Sequence, residues 1–325
     1  MLNYIIRRTL YAIPVLLGVN LITFLLFFVV NTPDQMARMK LGIKRVTPEA
    51  IEKWKRDQNY HLPRFWNESE SGLQKITQTI FYQKSMVLFA FRFGKSDDGR
   101  DIPYEIRKRM WPSLAIALPT FLLGILVNIT LSMFIAFVRG TYLDINAMIL
   151  CIIIMSISGL FYIIGGQLIF GKFLRLVPIS GFEPGASTIK FVILPVLIGG
   201  LSGIGSGVRW YRTLFLEEIG KDYVRTARAK GLPETTVLFK HTLKNALIPI
   251  LTGVVVIIPM LFMGSLVMEA FFGIPGLGSY TIDAINSQDF NIMKAMVFLG
   301  SVLYIVGLVL TDICYSWVDP RIRFT

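Results

Sequence analysis

The sequence predicts an all-α polytopic membrane protein. It has six transmembrane helices, a helical insert on the outer side between helices 1 and 2, and a long cytoplasmic loop with its own helix between helices 4 and 5. Three observations predict this. Of 325 residues, 54% are hydrophobic and 17% charged, where an ordinary soluble domain is about a quarter charged; mean hydropathy is +0.59. Apolar runs of about 20 residues recur along the chain, the length that crosses a hydrocarbon core of about 30 Å. Lys and Arg are shared unequally between the short loops, as they are when one side faces the cytoplasm.

The same composition excludes disorder, which needs low hydrophobicity and high charge. Two cysteines exclude a disulfide scaffold. Cys151 and Cys314 lie in apolar runs and read as inert buried thiols. The net charge of +12 would suggest nucleic-acid binding in a soluble protein. No long basic run interleaved with aromatics occurs here, so the charge is expected at lipid headgroups. Membrane lipid is an expected partner and nucleic acid is not.

The six spans fall at about 9–30, 113–137, 146–170, 189–208, 247–268 and 293–316. The first follows Arg7 and Arg8, as a signal peptide would. Its apolar stretch of about 22 residues is too long for one, and no small-residue cleavage site follows, so it reads as an uncleaved helix. The fourth carries Gly199, Gly200, Ser202, Gly203, Gly205, Ser206 and Gly207. Small residues let helices approach closely in lipid, which predicts a packed interior helix.

With the N-terminus inside, the cytoplasmic segments hold thirteen basic residues: Arg7, Arg8, Arg139, Arg209, Arg212, Lys221, Arg225, Arg228, Lys230, Lys240, Lys244, Arg321 and Arg323. The opposite short loops hold Lys172, Arg175, Lys190 and Lys294. Both termini are therefore expected in the cytoplasm. The insert 31–112 is left out of this comparison, because long segments translocate largely regardless of charge.

In that insert, Thr47 and Pro48 read as an N-cap and the first helical position of a short helix to about Gln58. A second helix is expected over 71–83, then turns over Gly94–Gly99. Asp101 caps a short amphipathic helix with Ile102, Ile106 and Met110 on one face and Arg107, Lys108 and Arg109 at the headgroups, before Pro112 opens the second span.

The loop 209–246 is the longest inner segment. Helix formers dominate up to Lys230, Gly231 and Pro233 stop the helix, and a second helix starts near Glu234 and runs into the fifth span. Loops of more than about 12–15 residues are usually functional or disordered. This one has helical composition, so it reads as a docking surface.

Here a resemblance becomes specific. Asp222-Tyr223-Val224-Arg225-Thr226-Ala227-Arg228-Ala229-Lys230-Gly231-Leu232, with His241 and Asn245-Ala246-Leu247-Ile248-Pro249 beyond, resembles the coupling-loop signature of ABC importer permeases. It is closest to the B-type subunit of the dipeptide, oligopeptide and nickel branch. Where the general pattern has a glutamate and two alanines, this chain has Arg225, Thr226 and Ala227, as is usual in the branch, and the interval from Gly231 to Pro249 is longer. Ile6-Arg7-Arg8 through Leu16, the approach to the second span, the segment 175–182 and the segment 269–290 resemble the branch as well. Asn31-Thr32-Pro33-Asp34 stands where the family usually has Pro-Gly-Asp-Pro, and the insert is longer than typical.

The resemblance implies a pore-forming subunit of an ATP-driven importer. A related second permease, two ATPase subunits and an extracytoplasmic binding protein are the implied partners. Asp222, Tyr223, Arg225, Thr226, Ala227, Arg228, Ala229, Lys230, Gly231 and Leu232 would form the ATPase-docking helix. Ala227 and Ala229 would be small enough for close approach to the partner. Glu269, Phe271, Pro275, Gly276 and Gly278 would form an outer loop or gate. Ser156, Ser158, Met260, Met263 and Met268 are candidates for the substrate path or, equally, ordinary packing residues. Peptides are the expected cargo, with a metal chelate or glutathione as alternatives.

Other chemistries fit worse. Gly94-Lys95-Ser96 looks like the end of a phosphate-binding loop, but Phe89 stands where that loop needs glycine. No nucleotide site or other cofactor is expected in this chain; ATP and Mg would be bound by the ATPases. His61 and His241 cannot reach Ser156, Ser158 or Ser206 at membrane depth, which disfavours an intramembrane serine protease. No span holds a His/Glu cluster for metal catalysis, so no catalytic or metal site is expected. An ion-coupled secondary transporter is the serious alternative. Such carriers place ionisable groups within the bilayer, where these spans offer little beyond Asn128 and Gln167.

Overall fold

The computed structural model describes residues 2–42 and 47–318. Arg321 and Arg323, counted above among the inner basic residues, lie outside the described residues, as do Lys44 and Arg45 of the insert. Among the described residues the fold is helical, with one isolated β-bridge between Lys95 and Asp101. The chain divides into two compact units. One comprises residues up to Lys108 with Tyr280–Val309, the other Arg109–Ser279 with the chain from Leu310.

The first unit is built on α1 (Leu2–Leu25), which carries Pro14 and ends in a short π-helical turn, Leu26–Val30. Thr32 then starts α2 (Pro33–Leu41). Its hydroxyl accepts the Gln35 N–H while the Gln35 side chain accepts the Thr32 N–H, which satisfies two orphan donors reciprocally. α3 (Pro48–Asp57) begins as expected, with the Thr47 hydroxyl accepting the Ala50 N–H. The helix expected over 71–83 is instead two short pieces, α4 (Gln74–Thr77) and α5 (Ile80–Lys84), followed by a 3-10 turn over Met86–Ala90. The Thr79 hydroxyl accepts the Tyr82 N–H and so opens α5; such a cap favours a helix start over continuation. Phe24, Phe28, Met36, Tyr60, Ile80 and Phe290 form the core of this unit, and Phe24 and Phe28 stack with centroids 4.9 Å apart.

The second unit begins inside a long helix, at Arg109. α6 (Ile102–Phe137) is continuous over 36 residues with Pro112 and Pro119 inside it. The separate amphipathic helix expected before Pro112 is therefore the first part of α6. Asp101 does cap it, accepting the Tyr104 N–H at 3.2 Å. The span expected over 146–170 is broken. α7 (Tyr142–Ser156) and α8 (Gly159–Gly166), which continues as a π turn to Phe173, are bent by 85°. Ile157 and Ser158 at the break are extended, and a hydropathy window does not register such a bend.

α9 runs over Thr188–Ile219, so residues 209–219, read above as loop, continue the fourth span. The small-residue run does pack. A Cβ on Gly205 would stand 2.5 Å from the Cys151 carbonyl oxygen of α7, a distance that only glycine avoids. α7 and α9 are also joined by Arg212 and Asp144, 2.8 Å apart. After α10 (Asp222–Ala229), an unbroken helical stretch of 30 residues runs from α11 (Glu234–Thr236) through a π turn, α12 (Lys244–Ile257) and a 3-10 turn to Met263. The fifth span thus ends earlier than 268. Gly264 has a positive φ of 68°, and Ser265 restarts the chain as α13 (Leu266–Phe272). α14 (Leu277–Ser287) and α15 (Phe290–Val318) follow.

Five helical stretches are long and apolar enough to cross a membrane: Thr9–Val30, Ile102–Phe137, Thr188–Ile219, Glu234–Met263 and Phe290–Cys314. The bent pair α7/α8 passes the same test when taken together. These stretches carry many exposed large apolar side chains, among them Leu126, Phe134, Ile153 and Leu197, as expected of helices that face lipid. The molecule is a multi-pass membrane protein.

Candidate functional site

The segment between α9 and the fifth span folds as a compact knob. α10 is amphipathic: Val224 and Ala227 are buried against Val237. Asp222, Arg225, Thr226 and Ala229 recur at i, i+3, i+4 and i+7 and are exposed, so they form one outward face. Ala227, expected close to a partner surface, is 5% exposed and belongs to the inner face. Ala229 is the small residue that reaches the surface, beside the exposed Arg225, Arg228 and Lys230.

Three polar contacts fix the knob. The Glu218 carboxylate, on the last turn of α9, accepts from Lys221 and from the Tyr223 hydroxyl. Burial and the Glu218 carboxylate push the Tyr223 phenol up to about 12. On the far side, Arg228 meets Glu234 through two hydrogen bonds of 2.8 and 3.2 Å, the fork geometry that guanidinium supplies. Between them Gly231 adopts φ +75°, and the Gly231 and Leu232 N–H groups return to the Arg228 and Ala227 carbonyls. This is a left-handed helix stop. Because the helix from Glu234 to Met263 is unbroken, the knob is attached directly to a membrane-spanning element.

A second cluster gathers around Glu269. Its carboxylate accepts the Ser265 N–H at 3.2 Å and the Ser279 N–H at 3.0 Å, and it also receives the Ser113 hydroxyl and the Gly278 N–H. Ser113 in turn accepts the Leu277 N–H at 2.7 Å. One buried anion thus joins the starts of α13 and α14 to α6, and helix starts favour negative charge. Burial raises the Glu269 pKa, and the donors around it oppose that. Gly276 and Gly278 belong to this cluster. A Cβ on the first would stand 2.2 Å from a Glu269 oxygen, and on the second 2.7 Å from the Ser265 backbone. Phe271 and Pro275 are exposed. The Gln167 amide donates to the Phe271 carbonyl at 2.9 Å and to the Ile179 carbonyl at 3.0 Å, which ties the segment after α8 to α13.

Beside this cluster lies a cavity of about 360 Å³. Ser113, Thr120, Gly199, Ser202, Leu261 and Met268 are among its lining residues. The Thr120 hydroxyl is buried with no hydrogen-bond partner among the described residues. Of the five path candidates, only Met268 lines the cavity. Met260 and Met263 sit on the 3-10 turn at the end of the fifth span. Ser156 and Ser158 are exposed at the α7/α8 bend. Sequence reading missed Ser113, Thr120 and the Asp144–Arg212 pair. Asp144 in the first turn of α7 gave a signal, but its partner Arg212 lies far away in the chain, and Ser113 and Thr120 sit within α6 with no local mark.

The class of protein defined here is a multi-pass helical membrane protein with a helical knob on one inter-span loop. Residues 128–324 match the family described as binding-protein-dependent transport system inner membrane component, and residues 1–66 match the family's N-terminal component. The chain belongs to that family and is a permease subunit of an ABC importer. It is 30% identical over 327 residues to the dipeptide transport system permease protein DppB of Bacillus subtilis, covering 99% of this chain and 98% of that one. It is 29% identical to the oligopeptide transport system permease protein AppB of the same organism, across the whole of both chains. It is 31% identical to the glutathione transport system permease protein GsiC of Salmonella choleraesuis, again across the whole of both.

Proposed function

We propose that this chain is one half of a heterodimeric translocation pore that imports peptides. This half has six spans, the bent pair α7/α8 counting as one, with both termini in the cytoplasm and residues 31–112 outside. A related permease completes the pore, an extracytoplasmic binding protein delivers cargo, and two ATPases bind the cytoplasmic face and carry the ATP and Mg. This chain itself catalyses nothing.

The observation that carries the reading is the knob 218–243. Its outward face of Asp222, Arg225, Thr226 and Ala229 is free to dock, while its inner face is closed by Val224, Ala227 and Val237. The unbroken helix from Glu234 to Met263 lets a displacement of the knob reach the membrane. A lever of this kind works only if its contacts differ between the two states of the transporter. The Glu269 cluster, with Phe271, Pro275, Gly276 and Gly278, forms the outer gate, and Met268 with Ser113, Thr120 and Ser202 lines part of the path.

The test is Ala229→Trp in the assembled transporter. Membrane abundance is expected to stay near normal while ATPase co-purification and uptake both fall. Uptake at the wild-type rate with the ATPases bound would make the loop a mere connector. A second reading, import of glutathione, draws support from the likeness to a glutathione transport system permease, and a metal chelate is a further alternative. Competition between labelled di- or tripeptides, glutathione and a nickel chelate decides between them.

A further inference from the structure

The unit formed by residues up to Lys108 with Tyr280–Val309 holds a cavity of about 350 Å³, separate from the path above. Lys84, Lys294, Arg92 and Lys95 line it together with Gln58 and Asn291, and no carboxylate is among its lining residues. Lys294 is 3% exposed. Its ammonium lies 5.0 Å from the Phe28 ring centroid, and that of Lys84 lies 5.0 Å from the Tyr60 ring centroid. Neither lysine forms an ion pair among the described residues. The nearest acids are engaged elsewhere. Asp97 pairs with Lys40 at 3.1 Å and accepts from Asn291. Asp289 accepts the N–H groups of Asp97, Asn291 and Ile292 at 2.7, 3.1 and 3.1 Å.

A buried cation is costly unless an opposite charge answers it, and an aromatic face answers it only in part. A buried and a half-buried lysine on one cavity, flanked by a guanidinium, a third ammonium and three side-chain amides, leave an unfilled demand for an oxyanion. Burial lowers the pKa of Lys84, with Asp97 opposing; a bound anion would act in the same direction as Asp97. We propose that this cavity is an anion-binding site that takes a phosphate-type group, held by Lys84 and Lys294 with Arg92, Lys95, Gln58 and Asn291 around it. The group has two possible sources, a phospholipid headgroup or free phosphate. Lys294 sits in the first turns of a spanning helix, Phe290–Cys314, where headgroups lie and where basic pockets bind anionic lipid.

The experiment uses the full chain purified in detergent or in zwitterionic-lipid nanodiscs. Thermal unfolding is followed with and without inorganic phosphate, against chloride at matched ionic strength, and with and without phosphatidylglycerol. The wild type is expected to gain at least about 3 °C with one of the two. A gain with phosphate identifies a soluble anion; a gain with phosphatidylglycerol alone identifies a headgroup. The double variant Lys84→Gln/Lys294→Gln should lose the gain, and Lys84→Arg, which keeps the charge, should retain it. Equal gains in the wild type and the double variant, or no gain with either anion, would overturn the site. If the double variant does not accumulate, Arg92→Gln with Lys95→Gln at the cavity wall is expected to reduce the gain, and an unchanged gain there counts against the proposal. None of these outcomes bears on the docking knob, so the import reading stands or falls separately.

Discussion

The Glu269 carboxylate accepts the Ser279 N–H at 3.0 Å although the two stand ten positions apart, with an exposed proline and a helix start between them. The same carboxylate accepts the Ser265 N–H, so two helices are capped by one side chain that is 1% exposed. Glu269→Gln keeps the shape but turns an amide N–H toward backbone donors. It is expected to destabilise this cluster by about 1–3 kcal/mol, the cost of leaving buried polar groups unpaired. Ser113→Ala should act in the same direction and more weakly. Thermal unfolding of the purified chain measures both; wild-type stability in Glu269→Gln would show that the cluster contributes nothing.

Gly231 stops α10 with φ +75°, and open space surrounds the position where a Cβ would be. The obstacle to substitution is therefore conformational, not steric. Gly231→Val should strain the turn by more than the roughly 1 kcal/mol expected of alanine, and Gly231→Asn should be tolerated best, because Asn visits this region more readily. Uptake is expected to rank glycine, then asparagine, then valine at similar membrane abundance. Equal uptake across the three would separate the turn from transport.

The two alanines of α10 test its two faces. Ala227 is buried, so Ala227→Trp should overpack the knob and cost about 1–3 kcal/mol or more, lowering resistance to proteolysis before any partner is present. Ala229→Trp points outward and should leave proteolysis unchanged while weakening ATPase binding. The sequence placed both alanines on the partner side because it lacked a phase for the helix. Once Val224 packs on Val237, the phase is fixed.

What was legible in the sequence was local. Thr47-Pro48 and Asp101 carry their caps within a few residues, and Gly231 followed by Pro233 ends a helix in any context. The Thr32–Gln35 capping box was equally visible and went unread. What was hidden depends on direction or distance. Hydropathy reports that residues 146–170 are apolar, but not that Ile157 and Ser158 turn the chain by 85°. Nor does it report that Gly264 separates α13 from the fifth span. The Glu269 cluster needs Ser113 of α6, and Asp144 needs Arg212. No local pattern announces such pairs.

Tyr223 gives a pH dependence. Its phenol is raised from 10.0 to about 12, first by burial and then by Glu218. A raised folded-state value means that the folded knob holds its proton more tightly than the unfolded chain. The stabilisation is fully present below about pH 10 and is lost as pH rises from there through about 12. In alkaline absorbance titration Tyr223→Phe should lose one late-ionising tyrosine, while Tyr60, which burial also raises, stays late in both proteins. The variant should also lose the steep fall in knob stability between pH 10 and 12. A Tyr223→Phe titration that loses no late-ionising tyrosine relative to wild type would contradict the Glu218 contact.

Membrane sidedness rests on the excess of Lys and Arg in the segments assigned to the cytoplasm, and two exposed positions report it directly. Ser69 lies in the insert and Ala229 on α10, and both are exposed. Single cysteines there, in a background with Cys151 and Cys314 replaced, are treated with an impermeant maleimide in intact cells. Ser69→Cys should be modified at once. Ala229→Cys should be modified only after the membrane is opened, and then more slowly in the assembled transporter, because a seated ATPase would cover it. The reverse pattern would invert the topology and place the knob where no ATPase can reach it. Labelling of Ala229→Cys in opened membranes at one rate, with or without the ATPases, would keep the topology and remove the docking face.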